Sequence, residues 1–97
     1  AMSSRNIRLS LAGRKIAPVL YKALKVGKSV YELGETGAAK VMVEIKKVIK
    51  DERKVKLQYL EAVDALTLEP AQKLRPGTML ALAAYLENVR LIDNIIL

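Results

Sequence analysis

The hydrophobic period of this chain changes once, near residue 53, and that change limits the chain to few folds. Upstream, apolar side chains recur at helical spacing. At about 100° per residue, Ile16, Val19, Leu20, Ala23, Leu24, Gly27, Val30 and Tyr31 share one face, with Arg14, Lys15, Lys22, Lys25, Lys28 and Glu32 opposite. Ser10 is placed to cap this helix, which runs from residue 11 to about residue 33. Pro18 removes a backbone donor and is expected to kink or split it. Gly34 is expected to end it in a left-handed conformation. Thr36 is then read as the cap of a second helix over residues 37–52. Its stripe is Ala38, Val41, Met42, Ile45, Val48 and Ile49, with Lys40, Glu44, Lys46, Lys47, Lys50 and Asp51 opposite.

Downstream the period drops to two. Val55, Leu57, Tyr59 and Val63 alternate with Lys56, Gln58, Ala62 and Asp64, as in a half-buried strand; Leu60 and Glu61 break the alternation. Residues 78–86, TMLALAAYL, are almost continuously apolar, as in a strand buried on both faces. Glu87 and Asn88 separate them from VRLIDNIIL, a spacing that fits a two-residue hairpin. Thr67-Leu68-Glu69-Pro70 and Arg75-Pro76-Gly77 supply turn chemistry between the first two strands. The expected fold is α+β: two amphipathic helices packed on a three-stranded antiparallel sheet. At 97 residues this is one domain.

Composition excludes several kinds of function. The chain has no Cys and no His, so it lacks a thiolate nucleophile, the usual general base and the commonest transition-metal ligands. It has no Trp or Phe and four Tyr, which is poor material for stacking single-stranded bases. No apolar run approaches the 18 or so residues that span a membrane. The net charge is +7, from 17 Lys and Arg against 10 Asp and Glu. Residues 1–56 hold 14 basic and 5 acidic groups (+9), and residues 57–97 hold 3 and 5 (−2). A basic half suggests a polyanion partner, and a small nucleic-acid-binding module is the alternative reading. Against it, the lysines sit at surface spacing without interleaved aromatics, as on solvated helix faces.

Among residues able to do chemistry, Met2-Ser3-Ser4-Arg5-Asn6 stands out. Two hydroxyls donate single hydrogen bonds, and the Arg5 guanidinium is a planar cationic fork that matches two phosphate oxygens. The same string is also what a plain polar terminus looks like. Asp64, Glu69 and Asp93 show no spacing that makes an acid–base pair, and they read as turn, edge or ion-pair residues. Arg90 and Asp93, three apart on a strand, point to opposite faces.

The order of these segments resembles the C-terminal domain of the pantoate–β-alanine ligase (pantothenate synthetase) family. The resemblance is carried by Met2-Ser3-Ser4-Arg5-Asn6 with Leu9-Ser10, then Ala17-Pro18-Val19-Leu20-Tyr21 with Ala23-Leu24. It continues at Tyr59-Leu60-Glu61-Ala62-Val63-Asp64 and Thr67-Leu68-Glu69-Pro70. It closes on Arg90-Leu91-Ile92-Asp93-Asn94-Ile95.

That resemblance implies an ATP-dependent, cytoplasmic enzyme of coenzyme A biosynthesis. Pantoate is activated as pantoyl adenylate and captured by β-alanine, with release of pyrophosphate and AMP. Residues 1–97 would be a single hinged ATP-lid domain. The N-terminal domain, absent from this chain, would bind pantoate and most of the ATP, close against this lid and carry the homodimer contact. Mg²⁺ would accompany ATP with its ligands outside this segment. Ser3, Ser4 and Arg5 would grip the phosphates as the catalytic segment, with Met2 beside the nucleotide. The fragment alone is expected to be inactive, and neither nucleic acid nor membrane is an expected partner. The chain departs from the family at Arg8, where an aromatic is frequent, and at Leu11-Ala12-Gly13-Arg14, which lacks a capping-box Glu. It departs again at Glu87-Asn88, in place of a Gly-containing turn.

Overall fold

The computed structural model describes residues 10–97. The first helical stretch forms two pieces, α1 (Leu11–Ile16) and α2 (Val19–Glu32). Pro18 separates them as the N-cap of α2, where its missing N–H leaves no intrahelical bond unmade. α2 ends in a Schellman motif. Gly34, at φ 114°, donates to the Tyr31 carbonyl, and Glu35 donates to the Val30 carbonyl.

α3 (Ala38–Lys50) follows, but Thr36 does not cap it. The N-cap is Gly37, whose N–H donates to the Glu35 carboxylate at 2.8 Å, and no side chain caps the helix. Thr36 instead accepts the Leu74 N–H through its carbonyl at 2.7 Å. The β1–β2 connection thus ties down the start of α3, and this tie takes the place of the expected hydroxyl cap.

Three strands, β1 (Val55–Asp64), β2 (Thr78–Leu86) and β3 (Val89–Ile96), form an antiparallel sheet in the order β1-β2-β3. The strand alternation changes face earlier than the sequence suggests. Leu57 pairs with Ala84 and Tyr59 with Ala83, so the register shifts at Gln58. This bulge puts Leu57 and Leu60 toward the helices and turns Tyr59 and Val63 to the other face. The expected stripe of Val55, Leu57, Tyr59 and Val63 is therefore split between two faces.

β2 is buried along nearly its whole length, as its apolar run suggests, but only one face lies under helices. Leu80, Leu82, Ala84 and Leu86 join the core with Leu20, Leu24, Val41, Ile45 and Ile49. On the opposite face Ala83 is fully buried because it is small and lies between Tyr59 and Ile92. Tyr85 and Ile92 stay exposed there. The Glu87-Asn88 turn forms as expected, both residues having positive φ (54° and 64°), as the primed two-residue hairpin turn requires.

Candidate functional site

Met2, Ser3, Ser4 and Arg5 lie outside the described residues. What the structure shows is the point where their segment joins the fold. Ser10 is extended (φ −63°, ψ 169°), and its hydroxyl accepts the Gly13 N–H at 3.0 Å, as an N-cap should. The capping carboxylate that the local sequence lacks arrives from the β2–β3 turn. The Ser10 N–H donates to Glu87 Oε1 at 2.7 Å, and the Ser10 hydroxyl donates to Glu87 Oε2. Glu87 thus does for α1 what the Glu of a capping box does, from 77 residues away in sequence.

These bonds favour the charged carboxylate. The Ser10 hydroxyl first, then its N–H, hold the Glu87 carboxyl below its ordinary value, and nearby Lys54 adds to the effect. Gly13 makes the approach feasible. A Cβ there would sit 2.8 Å from the Glu87 carboxyl carbon and one of its oxygens. No sequence pattern linked Ser10 to Glu87. The only local hint was an acidic residue in a turn that favours Gly or Asn.

The other charged residues do structural tasks. Asp64 Oδ1 accepts the N–H groups of Leu66 at 2.8 Å and Thr67 at 3.1 Å, and Oδ2 lies 3.3 Å from Arg75 Nη2. The two backbone bonds, Thr67 first, hold the Asp64 carboxyl below its ordinary value, with Arg75 contributing less. Asp64 and Arg75 border an open cleft of about 560 Å³ with Thr36, Lys73 and Thr78. Its groups are largely occupied with one another, since the Arg75 N–H also donates to the Thr78 hydroxyl at 3.1 Å.

Asp93 lies opposite Leu82 on the helix side of the sheet and accepts the Asn94 N–H at 2.8 Å. Arg90 lies on the other side and donates to Gln58 at 2.8 Å. Glu69 is exposed beyond β1. It borders the same cleft as Asp64, and its carbonyl accepts the Asp64 N–H at 2.9 Å. Lys22, Lys25, Lys40, Lys46, Lys47 and Lys50 are exposed, as solvated helix faces should be, whereas Lys28 is half-buried. Among the described residues no three His, Cys, Asp or Glu side chains gather to hold a metal. No helix among them is long and apolar enough to cross a membrane.

Comparison with known proteins decides the family. Residues 1–96 match the family described as pantoate-beta-alanine ligase. The chain belongs to the pantoate–β-alanine ligase family. It is 45% identical over 97 residues to the pantothenate synthetase of Thermotoga petrophila, covering all of this chain and 35% of that protein. Over 96 residues it is 42% identical to the pantothenate synthetase of Caldicellulosiruptor saccharolyticus, covering 34% of that protein.

A crystal structure of pantothenate synthetase from Thermus thermophilus superposes with a TM-score of 0.90 at 34% identity. The match covers 98% of this chain and 34% of that one. The chain thus spans about a third of the length of these pantoate–β-alanine ligases and corresponds to their C-terminal part. None of these matches supports the nucleic-acid alternative.

Proposed function

We propose that the chain is the ATP-lid domain of a ligase that condenses pantoate with β-alanine in the cytoplasm. The observation that carries this reading is the family match over residues 1–96. It takes in both Met2-Ser3-Ser4-Arg5-Asn6 and Arg90-Leu91-Ile92-Asp93-Asn94-Ile95.

In the first step a pantoate carboxylate oxygen attacks the α-phosphorus of ATP. The bond to the bridging oxygen breaks, and pyrophosphate leaves with that electron pair. In the second step the β-alanine amine attacks the acyl carbon of the adenylate. AMP leaves with its oxygen, and the amine nitrogen gives up a proton to complete the amide.

This chain's part is electrostatic. Negative charge grows on the phosphorus oxygens and on the departing pyrophosphate. Ser3, Ser4 and Arg5 supply two hydroxyl donors and a cationic fork for those oxygens, with Met2 against the nucleotide. No His or Cys is needed for that task. Mg²⁺ enters with ATP. It would be held by the phosphates and by the N-terminal domain.

A segment that grips only in the closed state also keeps water from the labile adenylate. Tyr85, Ile92 and Ile96, exposed on the sheet face opposite the helices, give the lid an apolar surface to set against its N-terminal domain. The homodimer contact belongs to that domain.

Arg5→Ala in the full-length ligase tests the reading. Pantoate-dependent ATP–pyrophosphate exchange should fall about 10²–10³-fold, the loss typical of one transition-state donor. An unchanged exchange rate would take Arg5 out of the mechanism.

A further inference from the structure

On the sheet face away from the helices, the register lines up three side chains at the end next to the β2–β3 turn. Lys56 pairs with Tyr85, and Tyr85 pairs with Arg90. Directly opposed residues of an antiparallel ladder share a face, so two cations flank one tyrosine. Lys56 and Arg90 stand two strand spacings apart, about 10 Å at the backbone, and two such long side chains can converge on one anion above the ring. Lys56 and Tyr85 are exposed, and Arg90 is half-buried. Arg90 Nε–H donates to Gln58 Oε1 at 2.8 Å across β2, and Gln58 is the extra residue of the β1 bulge. That partner is an uncharged amide, so the bond orients the guanidinium and cancels none of its charge. Among the described residues Lys56 makes no ion pair. Glu87, in the adjoining turn, is committed to Ser10. Glu61, the acid of β1 on this face, stands opposite Ala81, four residues along β2 from Tyr85.

Elsewhere this face is largely apolar, and Ile92 and Ile96 are exposed on it. A lid that closes with the face inward takes both cations out of water, and a buried cation is tolerated only where an anion meets it. In the ligase reaction the anion that enters is the polyphosphate of ATP, and the one that leaves is pyrophosphate. We propose, on the lid reading above, that Lys56 and Arg90, on either side of Tyr85, bind that polyphosphate when the lid closes. An apolar ring between two cations lowers the local dielectric and strengthens their pull on the anion. The Tyr85 hydroxyl adds a hydrogen-bond donor.

Lys56→Gln and Arg90→Gln in the full-length ligase test the assignment. Each should raise the KM for ATP roughly tenfold, the loss of one charge-assisted hydrogen bond, and should weaken inhibition by pyrophosphate to match. The KM for β-alanine should hold. Lys56 is exposed, so Lys56→Gln should keep the Tm of the parent, and Lys56→Arg should recover most of the affinity for ATP. An unchanged KM for ATP with unchanged pyrophosphate inhibition in both glutamine variants would overturn the contact. A rise in KM for ATP and β-alanine alike, with pyrophosphate inhibition unchanged, would also overturn it, because the row would then be meeting carboxylates of the N-terminal domain. A parent enzyme with no pantoate-dependent exchange would instead sink the proposed function itself. If Arg5→Ala is silent while both glutamine variants lose affinity for ATP, the row on the sheet stands and the role of Arg5 falls.

Discussion

Hydrogen-bond donors favour the charged forms of Asp64 and Glu87. For Asp64 the donors are mainly the N–H groups of Thr67 and Leu66. For Glu87 they are the hydroxyl and N–H of Ser10. Both carboxyls are held below their ordinary values of 3.8 and 4.5, so on acidification the unfolded chain binds protons first. Their contribution to stability is complete above those ordinary values. It is lost as the pH falls through the lowered native ones. The Tm should therefore decline below about pH 4, and Asp64→Asn or Glu87→Gly should each flatten that acid limb. An acid limb of unchanged slope in both variants would show that these bonds do not couple to folding. At this scale the sequence was half readable. Ser10 could be recognised as a cap from its place before an apolar period, and Asp64 was read only as a turn, edge or ion-pair residue. The partner of Ser10 could not be found, because nothing local relates residue 10 to residue 87.

Among the elements, α2 and α3 meet most closely at Gly27. A Cβ there would lie 2.5 Å from Ile45 Cδ1 and 2.7 Å from Ile45 Cγ1, and 3.3 Å from Val41 Cγ1. Ile45 and Val41 are fully buried, so neither has space to retreat. Gly27→Val should destabilise the fold by about 2 kcal/mol through overpacking, seen as a lower urea midpoint at constant m-value. A midpoint at or above that of the parent would mean the helices can separate without loss. The helices, the break at Pro18, the Gly34 stop and the Glu87-Asn88 hairpin were all visible in the sequence, because each depends on neighbouring residues. The cap of α3 and the bulge at Gln58 were not. Gly37 takes the cap from Thr36 because the Leu74 N–H claims the Thr36 carbonyl. The bulge answers to Ala83 and Ala84 across the ladder.

For the whole molecule, the proposed function is that of a lid and not of a self-contained enzyme. Alone, the 97-residue chain should form no pantothenate, because in the proposed mechanism the substrate and adenine sites lie in the N-terminal domain. An assay for AMP release with ATP, pantoate and β-alanine checks this, and turnover by the chain alone would overturn the lid assignment. Of the 14 basic groups in residues 1–56, seven are lysines on α2 and α3, on the outer faces of the helices. The sequence by itself determined the α+β class, the order of elements and, through its motifs, the family. Periodicity, turn chemistry and motif spacing are local and survive in a linear chain. Only the tertiary structure decided which face each residue of β1 presents, what caps α3, and which carboxylate completes the cap of α1. Each of those depends on a partner brought near by the paired strands and the helices packed on them.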